Sequence, residues 1–273
     1  MNVPRHEDCC ILNSGPGSWA FEPLARSLAS ALGVEICDTP RSYNYLLHWE
    51  SGLLNAGQRS FIPIESIEIA ADKRRLAAPF AEANVPTPET LLIPSFAAAV
   101  DLVRTRPEKQ WCLKYPTGCG GKGHRLLSPG DSEPPNWPKP FVVQEFIRLP
   151  EPEVYRTYCA DGELFGWMVR RFPKGKASSP WVAHARGARY ARLEAIPDSA
   201  VAASRSALAC TGLMDSFGCA DLIQRPTGEW LVLEVGTDGL FNHADRDLGD
   251  PEFEAKLLHK VAASFWNRAR SSS

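Results

Sequence analysis

The spacing of apolar residues changes several times along this chain, and each change marks an element. Residues 9–14, CCILNS, are a short apolar run of the kind a buried strand carries. Gly15-Pro16-Gly17 breaks it. Ser18 stands where it would cap a helix through WAFEPLARSLASAL, in which Phe21, Leu24, Leu28 and Leu32 recur at helical spacing. Gly33 ends that helix, and VEICD reads as a second strand. A strand–helix–strand opening is the signature of a small α/β unit.

Past residue 60, FIPIESIEI leads into AADKRRLAAPFAEA, one helix with Leu76 and Phe80 on a face and Asn84 closing it. Prolines hold VPTPETLLIPS extended. SFAAAVDLVRTR reads as a helix, and WCLKYPTGCGGKGHRLL as strand, glycine loop, strand. Residues 128–140 carry five prolines and form a surface loop. FVVQEFI is a strand that bends at Leu149-Pro150, and EVYRTYCADGELFGWMVRRF is a hairpin turned at Asp161-Gly162. SALACTGL is helical, and EFEAKLLHKVAASFWNRA is an amphipathic helix.

The segment between those helices, residues 218–238, carries the first chemical signal. GCADLIQRPTGEWLVLEVGTD reads as a hairpin with its turn at Pro226-Thr227-Gly228-Glu229. Symmetry about Thr227-Gly228 sets Asp221 opposite Glu234 on one face. Like charges directly opposed repel, so a cation between them is the functional reading, and Mg²⁺ suits two carboxylates plus phosphate oxygens. The alternative is a one-residue slip that turns one carboxylate to solvent.

The second signal is Lys114 followed by Thr117-Gly118-Cys119-Gly120-Gly121-Lys122-Gly123. Closely spaced glycines let backbone N–H groups approach a phosphate. The pattern is not a Walker loop, because no Lys-Ser/Thr pair follows at the required spacing. A tight hairpin turn with Lys122 in solvent is the plainer reading. Lys114 closes an apolar strand and could set its charge on phosphates, or could end that strand in solvent. Lys73, inside DKRR, reads on its own as part of a solvated charged face. Cys119 lies within the loop, where a small residue for packing is favoured over a nucleophile.

The order AADKRR, VPTPET, LKYPTGCGGKG, VVQEFI, EVYRTY, GCADLI, LEVGTDG resembles the ATP-grasp superfamily over roughly residues 60–265. It is most similar to the carboxylate–amine ligase branch, which includes ribosomal-protein glutamate ligases and glutathione synthetases. The resemblance implies an α/β (α+β) ATP-grasp fold, with two α+β subdomains clasping the nucleotide behind a short β-α-β N-terminal region. The expected divisions are 1–60, a lysine and glycine-loop subdomain at 61–145, and a metal-binding subdomain at 146–273. It implies nucleotide-binding roles for Lys73, Lys114, Gly118, Gly120 and Gly121. Gln144, Glu145, Phe146 and Ile147 would form a hinge strand whose backbone reads adenine, with Glu153 near the ribose. Arg156 would meet phosphate or acyl phosphate, and Asp221 and Glu234 would hold the metal.

One departure concerns the metal. The family reads Glu-x-Asn where this chain has Glu234-Val235-Gly236, so the third ligand is expected from Asn242, ahead of Asp238. On the substrate side, Arg170, Arg171, His184, Arg186 and Arg189 cluster in sequence, and guanidinium forks suit carboxylate and phosphate. Arg171 and Arg186 join Arg156 as the expected catalytic arginines. NHADRDLGD, dense in Asp, reads as helix capping.

These readings imply an ADP-forming ligase that uses ATP and Mg²⁺, with Mn²⁺ as a substitute, to join a carboxylate and an amine through an acyl phosphate. The partners would be small-molecule or peptide substrates, and a homodimer is left open. A kinase on the same fold and a non-catalytic nucleotide-binding module are the alternatives. A formal net charge of −2 gives no basis for nucleic-acid or anionic-membrane binding. Eight scattered cysteines without a C-x-x-C pair, and a polar start MNVPRHEDCC, lead us to expect a reduced, cytoplasmic protein.

Overall fold

The computed structural model describes residues 4–15, 17–48, 50–118, 120–175, 179–237 and 247–271. Three sheets organise them. The first is parallel, in the order β2-β1-β3-β4, from β1 (Cys9–Leu12), β2 (Glu35–Cys37), β3 (Tyr43–Leu46) and β4 (Arg59–Ser60). β1 and β3 are buried along their whole length, as strands inside a parallel sheet must be. Helix α1 (Glu22–Leu32) covers them and ends at Gly33 as expected. It begins later than its apolar spacing suggests. Ser18 opens a 3₁₀ turn over Ser18–Phe21 and makes no side-chain cap. Pro23 explains the delay, because proline is tolerated only in the first turn of an α-helix.

The helix expected over AADKRRLAAPFAEA begins only at Lys73, as α3 (Lys73–Glu82), and a separate helix, α2 (Ile64–Ala71), covers most of the segment that leads into it; the two are broken apart at Asp72. Asp72 is extended (φ −126°, ψ 113°), and its carboxylate accepts from the Arg74 N–H, capping α3. Its backbone bridges Thr117 at the start of the glycine loop. The break therefore starts α3 beside that loop, with Lys73 as its first residue.

The second sheet is antiparallel, in the order β5-β8-β6-β7: β5 (Thr90–Ile93), β6 (Trp111–Lys114), β7 (Arg125–Leu126) and β8 (Phe141–Glu145). Helix α4 (Phe96–Thr105) packs on one face, where Phe96, Ala99, Trp111, Leu113, Phe141 and Val143 form a core. Strand alternation sends Cys112, Lys114 and Gln144 to the other face.

The third sheet, also antiparallel, has the order β11-β10-β9-β12-β13. Its strands are β9 (Glu153–Ala160), β10 (Glu163–Arg171), β11 (Arg189–Arg192), β12 (Phe217–Gln224) and β13 (Trp230–Gly236). The β9–β10 turn at Asp161-Gly162 has positive φ at both residues (52° and 78°), as a two-residue hairpin requires. Helix α5 (Asp198–Cys210) packs on β12 and β13. The last helix, α6 (Pro251–Ser271), reaches back to the first sheet. Its Phe265 ring lies 4.9 Å from Tyr43 and 5.5 Å from Phe61, and the Trp266 indole donates to the Leu32 carbonyl at 3.1 Å. The first and third sheets thus share one continuous core. Asp250 caps α6 by accepting from the Glu252 N–H at 3.0 Å, so part of the Asp-rich segment does act in capping. Among the described residues no helix is long and apolar enough to cross a membrane.

Candidate functional site

The free face of the second sheet and one face of the third enclose a cavity of about 410 Å³. Cys112, Lys114 and Gln144 line one wall, and Asp221, Ile223, Leu233 and Glu234 the other. The chain from Glu145 to Pro150 closes one end. Gly120, Gly121 and His124 meet Trp181, Val182 and Ala183 across the opening.

Asp221 and Glu234 are directly opposed, as the sequence reading expects. The route differs. The turn is a three-residue loop, Pro226-Thr227-Gly228, with Gly228 at φ 90° and Arg225 N–H bonded to the Glu229 carbonyl at 2.8 Å. That loop pairs Leu222 with Val232 and Ile223 with Leu231. Continued unbroken, this register would set Glu234 opposite Ala220, on the wrong face. A bulge at Leu233 absorbs one residue and restores the Asp221–Glu234 pair. Leu233 and Glu234 then both face the cavity.

Protein cations already relieve the repulsion. Arg156, directly across β9 from Asp221, donates from Nε to Oδ1 at 2.6 Å and from Nη2 to Oδ2 at 2.9 Å. Arg170 donates to Oδ2 as well. Burial alone would raise the Asp221 pKa, and the two guanidiniums outweigh it and hold the carboxyl below the usual range. Glu234 is more open and meets Lys73 Nζ at 3.5 Å.

Arg171, expected at the chemistry, lies outside the cavity wall. Its side chain is 57% exposed and meets Glu153 at 3.4 Å. Arg170 takes the inner place, which the sequence reading named only within its cluster. The cause is a second irregularity, between Phe165 and Met168. An unbroken hairpin about Asp161-Gly162 would put Arg171 on the face of Arg156. The shift at Gly166, with φ 69° and Tyr158 only 3.0 Å from where a Cβ would sit, presents Arg170 instead. That crowded, positive-φ glycine was the signal available in the sequence.

Arg186 reaches the glycine loop, donating to the Gly121 carbonyl at 2.9 Å and the Gly120 carbonyl at 3.4 Å. Lys73 holds the other end, donating to the Gly118 carbonyl at 3.3 Å. Gly118, Gly120, Gly121 and Gly123 all have positive φ. Trp181 packs edge-on to both His124 (5.4 Å) and Phe146 (5.1 Å) and joins the loop to the hinge. Burial, helped by Lys114, Lys73 and Arg186, lowers the His124 pKa to about 3, so its imidazole is neutral. His184 and Arg189 turn elsewhere, to Asp247.

Lys114 is the most telling side chain. It is 6% exposed, and among the described residues no carboxylate lies within 4.0 Å of its amine. Burial lowers its pKa, against a pull from Glu234. A cation desolvated without a partner is costly and calls for an anion in the cavity. With Lys73, Arg156 and Arg170 against Asp221 and Glu234, this end of the cavity is net positive.

At the end closed by residues 145–150, the Glu145 carboxylate is spent on Arg225 at 2.8 Å, and Gln144 donates to Thr90 Oγ1 at 2.8 Å. Glu145 and Phe146 donate their N–H groups to Glu89 and Gln110. The next N–H, of Ile147, has no protein acceptor among the described residues. Glu153 lines the same end and accepts from the Tyr155 hydroxyl at 2.6 Å.

No family model matches the sequence, and no curated protein matches it. Solved structures do. A D-alanine–D-alanine ligase from Bacillus anthracis, solved with ATP, has a TM-score of 0.69 at 12% identity, covering 98% of this chain and 99% of that one. The D-cycloserine synthetase DcsG gives 0.62 at 16%, covering 96% and 99%. The ATP-grasp ligase PsnB, with a minimal precursor, gives 0.63 at 17%, covering 93% and 99%. The chain has the ATP-grasp fold. Lys114, Gly120, Gly121, residues 144–147 and the Asp221–Glu234 pair line one cleft between the second and third sheets, with Lys73 beside it.

The donor set fits a hard divalent cation. Three guanidinium bonds occupy Asp221, against about four lone-pair sites on a carboxylate, so Oδ1 keeps one. Among the described residues Glu234 has only the long contact to Lys73. Glu234 would be the principal protein ligand and Asp221 the lesser one. Among the described residues no cluster of three or more acids, histidines or cysteines is arranged to hold a metal. Asn242 and Asp238, expected as third ligands, lie outside the described residues, as does Cys119.

Proposed function

We propose that this chain is an ATP-dependent carboxylate–amine ligase that forms an amide or peptide bond through an acyl phosphate. The observation that carries the reading is Lys114, a buried ammonium with no carboxylate partner among the described residues, facing a cavity walled by a glycine loop and two opposed acids. Lys114 and Lys73 would neutralise the phosphates, and the glycine loop would cover them. The hinge would take the base, with the Ile147 N–H as its free donor and Glu153 at the ribose. Mg²⁺, or Mn²⁺ in its place, would be held by Glu234 and Asp221 and would supply neutralising charge for phosphoryl transfer. The two proteins solved with ATP and with Mg and ADP support the cofactor choice by analogy.

In the first step a substrate carboxylate oxygen attacks the γ-phosphorus. The new O–P bond forms as the bond to the β-phosphate oxygen breaks, and ADP leaves. In the second, an amine attacks the acyl carbon, phosphate departs, and the amine proton is lost. Arg170 and Arg156 are fixed by Asp221 and need no reorganisation, and Arg186 ties down the loop through the Gly120 and Gly121 carbonyls. Catalysis here is positioning and electrostatics. We assign phosphate neutralisation to residues 61–145 and the metal and substrate side to residues 146–273. The seven described cysteines are all free, which suits a reducing, ATP-supplied compartment.

The test is ADP release across a panel of amino acids and short peptides, with analysis of the phosphate. Free phosphate and an amide product, dependent on both a carboxylate and an amine, support the ligase. A stable phosphoester makes the chain a kinase, and nucleotide binding with no acceptor-dependent ADP makes it a binding module.

A further inference from the structure

Behind the nucleotide cleft lies a second cavity of about 400 Å³. Lys114, Gln144 and Leu233 line both cavities and form the partition between them. Leu233 is the residue the β13 bulge inserts, and Gln144 is pinned by Thr90. Its other walls carry an apolar patch, Leu76, Ala77 and Phe80 on α3 with Val85 and Val142, beside the polar Asn84, Thr87 and Thr90. The charges in the two cavities differ. Glu145, Glu153, Asp221 and Glu234 line the first, whereas the described lining of the second holds two lysines, Lys73 and Lys114, and no acid.

Apolar side chains hold water poorly, and the Lys114 ammonium, which has no carboxylate partner among the described residues, calls for an anion; Lys73, already 3.5 Å from Glu234, adds a second positive charge beside it. Inorganic phosphate would leave the apolar walls unused. A neutral hydrocarbon would leave Lys114 without a counter-charge. We propose that the second cavity binds a small amphipathic monocarboxylate, with its carboxylate on Lys114 and Lys73 and its tail between α3 and Leu233, and that its binding competes with the nucleotide for Lys114. The competition rests on the nucleotide reading above; the binding does not.

The test is calorimetric titration of octanoate into the full chain, with 1-octanol and inorganic phosphate as controls. Saturable one-site binding of octanoate is expected, with both controls weaker by about tenfold or more, a factor worth about 1.4 kcal/mol. Ala77→Phe, which fills only the second cavity, should weaken octanoate about tenfold and leave the ATP Kd within about twofold. Ala81→Leu serves if Ala77→Phe lowers the melting temperature. Octanoate should also raise the ATP Kd about tenfold. Absence of saturable binding, equal binding of octanol, or octanoate affinity untouched by the filling variants overturns the site. An ATP Kd indifferent to bound octanoate overturns the competition. Octanoate binding in a chain that binds no ATP would sink the ligase reading and leave the site standing.

Discussion

Asp221 and Glu234 face each other, yet neutralising them should have unequal effects. Asp221→Asn removes the charge that balances two buried guanidiniums, those of Arg156 and Arg170, and turns one acceptor oxygen into a donor aimed at them. The carboxylate side chain is 4% exposed, and each arginine side chain 12%. Breaking a buried pair by removing one partner costs about 3–5 kcal/mol, which for a chain of this size lowers the melting temperature by about 6–20 °C. Glu234 is 39% exposed and meets Lys73 only at 3.5 Å, so Glu234→Gln should cost under about 1 kcal/mol. Thermal and urea unfolding of the two variants without ligand measures the difference. The stability that Asp221 contributes is present above its ordinary pKa of 3.8, since the folded value is lower, and is lost as pH falls through that value. Equal melting temperatures for Asp221→Asn and Glu234→Gln would refute the assignment of Asp221 as an anchor for the arginines.

Lys114→Met should act in opposite directions on folding and function: it removes an unpartnered buried charge, raising the unliganded stability by about 1–3 kcal/mol, while ATP affinity in calorimetry falls at least about tenfold. Wild-type stability should climb as pH rises from the depressed folded pKa of Lys114 towards 10.5, because the unfolded chain alone then keeps the proton, and that slope should vanish in the variant. His124, with its folded pKa near 3 against 6.5 unfolded, takes up a proton only on unfolding, so wild-type stability should fall as pH drops from 6.5 towards 3 and the fall should flatten in His124→Gln. Arg186→Ala releases the Gly120 and Gly121 carbonyls and should raise the KM for ATP several-fold, with faster proteolysis of the glycine loop and a melting temperature changed by about 2 °C or less.

Much of this was legible in the sequence because strand alternation is local. WCLK and FVVQE place Lys114 and Gln144 on one face by parity alone, and the glycine run between two strands marks the loop. What parity could not supply was the bulges. Leu233 gives no compositional sign that it will be the extra residue, and the symmetric pairing of Asp221 with Glu234 came out right only because the three-residue turn and the bulge offset each other. At Gly166 no such compensation occurs, and the inner arginine moved from Arg171 to Arg170. The break at Asp72 was hidden for another reason. Helical spacing runs through it unbroken, and only the bridge to Thr117, distant in sequence, makes the extended conformation worthwhile. Trp181 and Arg225 also act through partners far along the chain, so their roles at the loop and hinge appear only once the sheets face each other.

In the proposed ligase a carboxylate oxygen attacks the terminal phosphate and is later released with it. The direct measurement uses a substrate pair found active in the ADP screen, with the carboxylate labelled with ¹⁸O, and mass analysis of the phosphate. One ¹⁸O atom per released phosphate, with amide formed in step and both lost in Glu234→Gln, is the predicted result. Unlabelled phosphate, or label retained in a stable phosphoester, would contradict it.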